Sequence, residues 1–275
     1  MNIVYFGSDV HYESFRYLLE NHNILALYTY HNAEDYFTEY QIVKAAKEKN
    51  IPVHYDEISE EDTTRYFTEY GCELFFVAEY DRIIKIPETL DNFYGVNVHL
   101  SMLPVGRSYY PLENAMFRKL DIAGVTMHRL ISGLDAGDIL FQETMDINDD
   151  YDSIDLYIRA SKLTLSMTKK LMTNFDECKY NAIKQIGKEE YWKRPDREFM
   201  TLSHEMTLHS AKQIIRTFNK MTEVSIEDTD YFVASAVFSI EELPTPVIPV
   251  SENMFLYGVK GGHLRLTVCK KNEEG

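Results

Sequence analysis

The sequence predicts a doubly wound α/β fold with a mostly parallel sheet, followed by a small β-rich C-terminal subdomain. Three observations predict it. Short apolar runs alternate with helix-periodic segments through the first hundred residues. These runs are β-branched and aromatic, with no polar alternation, as in strands buried on both faces. Across residues 221–275 the pattern changes to short β-like runs interrupted by Pro244, Pro246 and Pro249.

Ile3 to Phe6 reads as the first strand and stops at Gly7. Phe15, Leu18 and Leu19 mark a helix face, and Ile24 to Tyr30 is the next strand. A helix is expected from about Tyr36 to Lys49, with Tyr40, Val43, Ala45 and Ala46 on one side. Val53 to Tyr55, Leu74 to Val77 and Tyr94 to Val98 continue the strands. Glu60 to Tyr70 is a polar helix ended by Gly71, in the position favoured for a C-terminal cap. This alternation implies right-handed crossovers, with ligands beyond the carboxyl ends of the strands. A helix follows Pro111 to about Leu120. Val125 to Ile131 and Ile139 to Thr144 flank the turn from Gly133 to Gly137. Asp152-Ser153 caps a long helix carrying Leu156, Ile158, Leu163, Leu165 and Leu171. Residues 1–200 are expected to form the catalytic domain and 201–275 a linker helix, roughly Ser203 to Asn219, plus the β-rich subdomain. Its runs are Tyr231 to Phe238, Met254 to Val259 and Leu264 to Val268, which would form a homodimer edge or a closed small barrel.

Composition narrows the function classes. The net charge of −16 repels polyanions, so nucleic acid is not an expected partner. No apolar run approaches the roughly 20 residues that span a bilayer, so no membrane partner is expected. The start Met1-Asn2-Ile3-Val4 lacks the basic segment of a signal peptide, and Cys72, Cys178 and Cys269 form neither a disulfide framework nor a zinc pattern. A cytoplasmic protein is the expectation. The first βα turn, Gly7-Ser8-Asp9-Val10, is not a dinucleotide loop.

The chemistry concentrates in residues 97–139. Asn97 and His99 stand two apart at a strand end and so face the same side. Acyl transfer to an amine needs a proton acceptor, donors for the oxyanion and a proton for the leaving nitrogen. Imidazole titrates near neutrality, and an Asn amide is a neutral oxyanion donor. Asp135, bracketed by Gly133 and Gly137, could orient His99, stabilise its cation or take the proton itself. Elsewhere the plainer readings prevail. His128 reads as structural, Asp138 as a turn acid, and Glu79 and Asp81 as solvated. His204 and His209, five apart on a helix, do not make a metal pair, and no metal is expected.

The run Gly95-Val96-Asn97-Val98-His99-Leu100-Ser101-Met102-Leu103-Pro104, then Arg107 and Pro111, Gly124-Val125-Thr126-Met127-His128, and Leu134-Asp135-Ala136-Gly137-Asp138-Ile139-Leu140 resembles the formyltransferases that use 10-formyltetrahydrofolate. The resemblance implies a Rossmann-like catalytic domain and assigns catalysis to Asn97, His99 and Asp135. It places the folate near Tyr80, Asp81, Arg82 and Ile83 and near Ser132, Gly133, Leu134, Gly137 and Asp138. Two departures stand out: Met102-Leu103-Pro104 for the family's Leu-Leu-Pro, and Arg107-Ser108 for Arg-Gly, with glycine at Gly106 instead. Arg107 and Tyr109 are expected on the substrate side. Tyr191-Trp192-Lys193-Arg194-Pro195 looks like the end of the catalytic core in sugar N-formyltransferases, and the charges of Lys193 and Arg194 suit a diphosphate. The implied acceptor is the amine of a nucleotide-linked sugar. In the implied mechanism Asn97 and protonated His99 hold the oxyanion and Asp135 accepts the amine proton. A methionyl-tRNA formyltransferase, a non-catalytic folate-binding protein and a formyl-folate hydrolase are the alternatives.

Overall fold

The computed structural model describes residues 1–30 and 40–271. In chain order its elements are β1 (Asn2–Gly7), α1 (Tyr12–Asn21), β2 (Asn23–Tyr28), α2 (Gln41–Glu48), β3 (Val53–His54), α3 (Glu60–Thr68), β4 (Leu74–Ala78), β5 (Gly95–His99), β6 (Val105–Ser108), α4 (Pro111–Phe117), β7 (Ile122–Arg129), β8 (Ile139–Asp146), α5 (Ser153–Thr173), α6 (Phe175–Tyr180) and β9 (Glu190–Trp192). They continue with α7 (Arg197–Met200), β10 (Thr201–Leu202), α8 (Leu208–Phe218), β11 (Glu223–Ile226), β12 (Thr229–Ser239), β13 (Val247–Ser251), β14 (Met254–Val259) and β15 (Gly262–Lys270). By packing, residues 1–112, 121–146 and 157–192 form one compact unit, and 113–120, 147–156 and 193–275 a second.

The first unit holds a seven-stranded sheet in the order β3-β2-β1-β4-β5-β7-β8. The five strands from β3 to β5 are parallel; β7 runs antiparallel to β5, and β8 antiparallel to β7. Both faces of the parallel part are buried, which is why its strands read as unbroken apolar runs. Val4, Phe6, Tyr28, Phe75 and Val77 pack on one side with Tyr66 and Phe67 of α3. Tyr5, on the other side, meets Phe15 of α1 at 4.9 Å between ring centroids. Helix starts follow their caps. Ser59 accepts the Asp62 N–H at 3.0 Å at the head of α3, and Gly71 beyond its end has φ 64°. Asp9, from the first βα turn, accepts the N–H groups of Gln41 and Ile42 at 2.8 and 2.9 Å. A carboxylate therefore already occupies the start of α2, where an anionic ligand would otherwise be favoured. The expected helix from Tyr36 is seen from Gln41; residues 36–39 lie outside the described residues.

The second unit holds a six-stranded sheet in the order β10-β11-β12-β15-β14-β13, with β10 and β13 at its edges. Val224, Val233, Tyr257, Leu264, Leu266 and Val268 line its buried face, together with Ala211 of α8. The helix expected from Ser203 begins at Leu208, because Thr207 caps it by accepting the Ser210 N–H at 3.1 Å. Strand β13 was hidden in the sequence by Pro249, which an edge strand tolerates. Among the described residues, no helix is long and apolar enough to cross a membrane.

Candidate active site

The site is built where the sheet changes direction. β5 is parallel to β4 but antiparallel to β7, so Asn97 lies opposite His128 and His99 opposite Thr126. After β7 the chain turns through residues 130–138 and returns, with the Arg129 N–H donating to Asp138 O at 2.9 Å. Gly137 fits there because a Cβ would stand 1.9 Å from the carbonyl oxygen of Arg129. This turn delivers Asp135, whose φ is 49°, beneath the end of β5.

Asp135 is the hub. Its Oδ1 accepts from Asn97 Nδ2 at 3.1 Å, and its Oδ2 accepts the Ser108 N–H at 2.9 Å. His99 Nδ1 lies 3.6 Å from Oδ2, and His128 Nε2 lies 3.6 Å from Oδ1. Asn97 Nδ2 also reaches His128 Nε2 at 3.1 Å. Backbone carbonyls fix both imidazoles. His99 Nε2 donates to Gly106 O at 2.7 Å, and His128 Nδ1 donates to Arg129 O at 2.8 Å. These contacts assign the neutral tautomers. The lone pair of His99 sits on Nδ1, toward Asp135, and that of His128 on Nε2, toward the Asn97 amide.

Burial sets the charge states. It lowers the His99 imidazole below its ordinary value, with help from the neighbouring His128 and Arg107. The Asp135 charge and the Gly106 carbonyl oppose the shift. For Asp135, burial alone would raise the carboxyl. Its attraction to the His99 ring when that ring is protonated, the contact with His128 and the Ser108 N–H outweigh that and hold it well below its ordinary value. The resting site pairs a neutral base with an ionised carboxylate.

His128, read from sequence as structural, is therefore part of the cluster. Glu79, read as solvated, is half-buried with φ 60°, and burial plus the Asp135 charge push its carboxyl up to about 7. Arg107 was expected to contact substrate. It is instead 2% exposed, with its guanidinium engaged by Gln185, Tyr191 and Glu189. Tyr109 is 61% exposed. Tyr80 is half-buried and packs on Phe6 at 5.4 Å, and Arg82 donates to Tyr55 O at 2.7 Å. Asp81, Ile83, Ser132, Gly133 and Leu134 are exposed. Gly137 is buried and Asp138 half-buried. Lys193 and Arg194 are exposed and belong to the second unit. Among the described residues, no group of three or more His, Cys, Asp or Glu could hold a metal ion.

Known proteins agree with the fold. The chain is 26% identical over 184 residues to the methionyl-tRNA formyltransferase of a Nitratiruptor species, covering 64% of this chain and 61% of that protein. It is 28% identical to the Anaplasma marginale enzyme over the same length, again spanning 61% of it. The chain thus spans about three fifths of these relatives. WlaRD, a sugar 3N-formyl transferase solved in the presence of dTDP and 5-N-formyl-THF, matches with TM-score 0.64 and 21% identity, at 99% of each chain. The N-formyltransferase from Helicobacter canadensis, solved with folinic acid and dTDP-3-aminofucose, matches with TM-score 0.65 and 21% identity, at 98% of this chain and 99% of that one. HypX from Aquifex aeolicus, in complex with tetrahydrofolic acid, gives TM-score 0.75 and 15% identity, over 99% of this chain and 44% of HypX. Residues 28–170, more than half of the chain, match the formyl transferase family, to which this protein belongs.

Proposed function

We propose that the protein is an N-formyltransferase that moves a formyl group from 10-formyltetrahydrofolate to the amine of a nucleotide-linked amino sugar. The observation that carries the transfer is Asn97, His99 and Asp135 meeting within 3.6 Å contacts at one strand end. The surface beside them suits a flat folate ring. Ser132 and Gly133 are exposed, and Leu134 and Ile83 present apolar side chains at 48% and 73% exposure. Tyr80 to Ile83 and Ser132 to Asp138 would hold it. Bound there, the co-substrate supplies an activated formyl carbon.

The residues divide the remaining work. His99 Nδ1, unprotonated and buried, accepts the amine proton. Asp135 is too weak a base for that step; it stabilises the imidazolium that forms 3.6 Å away. This exchanges the proton role that the sequence resemblance gave to Asp135. Asn97 turns one N–H from His128 or Asp135 toward the developing oxyanion, a service typically worth about 10²–10³ in rate. His99 then returns its proton to the departing nitrogen.

The acceptor reading has separate support. Residues 221–275 carry four Lys or Arg against nine Asp or Glu, unlike a tRNA-binding surface. Both neighbours solved with dTDP or a dTDP-sugar match along nearly their whole length. The identity to methionyl-tRNA formyltransferases favours tRNA as the second reading. Formyl transfer is measured with 10-formyltetrahydrofolate against a panel of dTDP- and UDP-linked amino sugars and against methionyl-tRNA. Turnover with an amino sugar is expected. Turnover with tRNA alone replaces the acceptor, formyl-folate hydrolysis alone makes the protein a hydrolase, and folate binding without either makes it a non-catalytic binder.

A further inference from the structure

Strand β6 touches the site at three successive residues. The carbonyl of Gly106 accepts from His99 Nε2 at 2.7 Å. The Ser108 N–H donates to Asp135 Oδ2 at 2.9 Å. Between them, Arg107 is buried and sends Nε and Nη2 to the single oxygen Gln185 Oε1, at 3.2 and 2.7 Å. Its Nη1 donates to Tyr191 OH and pairs with Glu189 Oε2, both at 2.9 Å. Gln185 passes the contact on. Its Nε2 donates to the main-chain oxygens of Asp135 and Gly137, at 2.7 and 2.8 Å. The amide has one orientation here, since Arg107 offers only donors and the two carbonyls only acceptors.

A closed ring results, running Asp135 carboxylate, Ser108 N–H, Arg107, Gln185 and Asp135 carbonyl. The ring encloses Asp135, a non-glycine residue in the left-handed region at φ 49°, a conformation that persists only when surroundings over-determine it. Ile183 and Ile139 exchange two main-chain hydrogen bonds, at 2.7 and 2.8 Å, and so tie the segment bearing Gln185 to the start of β8.

We propose that Arg107 and Gln185 are positioning residues for the transfer: Gln185 grips the peptide of Asp135 and Arg107 orients Gln185, so that the carboxylate stays against His99. This deepens the proposed function and rests on it. Neither residue touches the reacting atoms. Their effect passes through Asp135.

Gln185→Ala tests it, because it exchanges a neutral side chain for a neutral one. His99 is faced by the Asp135 carboxylate, His128, Arg107 and the Gly106 carbonyl. Gln185 is not among them, so a change in His99 titration must come through the displaced turn. The Asp135 charge raises the His99 pKa, so releasing Asp135 lowers it. The expected result is a kcat loss of about 10²-fold, the scale of a 1 Å misplacement, with a smaller rise in KM, since the same turn would hold the folate. The His99 ring-nitrogen titration, followed by NMR, moves to lower pH. Gln185→Glu keeps an acceptor for Arg107 but loses the donors to both carbonyls, and is expected to lose kcat and some melting temperature while still folding. Arg107→Lys, which keeps the charge but not the fork, is expected to lose less. A folded Gln185→Ala or Gln185→Glu protein with the parent's kcat overturns the proposal, as does an unmoved His99 titration in folded Gln185→Ala. The titration needs no substrate. If the parent turns over no acceptor, the proposed function falls, and the His99 shift alone decides the positioning claim.

Discussion

Asp135→Asn probes the hub with the least disturbance of shape. Asn is nearly isosteric with Asp and tolerates the left-handed backbone found there, φ 49°. The carboxylate accepts from two donors, Asn97 Nδ2 and the Ser108 N–H. An amide has one acceptor atom. If its oxygen faces Ser108, its NH2 group opposes the NH2 of Asn97. Rotating the Asn97 amide would relieve that clash but would set its oxygen against the lone pair of His128 Nε2, which the Arg129 carbonyl holds in place through Nδ1. Each arrangement leaves one buried mismatch, costing about 1–3 kcal/mol of stability. The effect on rate is larger. An imidazolium 3.6 Å from a carboxylate gains about 4–5 kcal/mol at an effective dielectric constant near 20. Losing that gain in the transition state lowers kcat by about 10³-fold. Single-turnover formyl transfer at saturating substrates, beside a melting curve, gives both quantities. The acid limb of the pH profile should also move to lower pH, because the Asp135 charge raises the His99 pKa. A folded variant with the parent's kcat and acid limb would refute the assignment of Asp135 as counter-charge.

Glu79→Gln tests the second carboxyl group. The Glu79 pKa rises on folding from 4.5 to about 7, so its favourable contribution is complete below 4.5 and is lost as pH rises through 7. Across that window the contribution amounts to about 3 kcal/mol. Urea unfolding should therefore show Glu79→Gln gaining on the parent between pH 5 and pH 8, and a constant difference contradicts it. Gly137→Ala places a methyl 1.9 Å from a main-chain oxygen, whereas at Gly124 the nearest atom is the mobile sulfur of Met102, at 2.2 Å. Gly137→Ala should cost about 1–3 kcal/mol and most of the activity, with Gly124→Ala the milder variant; the reverse order in melting temperature would be wrong for this packing. Ser108 has φ 86°, where an L-residue pays about 1–2 kcal/mol, so Ser108→Gly should raise the urea midpoint after the extra unfolded-state entropy of glycine is subtracted. A lower midpoint would show that the Ser108 side chain contributes something beyond its backbone.

The parallel strands were legible because they are buried on both faces, so Ile3 to Phe6 and Leu74 to Val77 betray themselves by apolar content alone. Asn97 and His99 were legible for a different reason: a two-residue spacing at a strand end puts two polar groups on one side. His128 was not, because its role comes from lying opposite Asn97 in an antiparallel pair, and register is a property of two distant segments. Arg107 misled. Sequence reports a charge but not its burial, and a lone arginine after a proline loop suits a substrate as well as a buried clamp. Gln185 gave no signal at all, being a neutral amide between Lys184 and Ile186, 50 residues from the carbonyl it holds. The two-stranded pairing of β6 with β9 escaped for the same reason; three or four residues on each side carry too little periodicity to read.

Positive φ values show how the site stays assembled. Several non-glycine examples occupy ordinary turns: Asn50 follows α2, Lys119 follows α4, and Glu227 and Asp228 form the hairpin between β11 and β12. Two others, Ser108 and Asp135, are joined by a hydrogen bond, and a third, Glu79, feels the charge of the Asp135 carboxylate. A strained residue relaxes unless several contacts forbid it. Asp135 is gripped by its side chain through Asn97 and Ser108 and by its main chain through Gln185. Relaxing its φ would break the first pair or the second, and each leaves buried polar groups unmatched. Ser108 is bound into the same circuit, since its strained peptide supplies the N–H that Asp135 accepts. The two strains therefore support each other: neither residue can relax alone without unpairing the other. A site wired in this way holds its carboxylate against the imidazole before any substrate arrives, so binding need not supply the energy to place it.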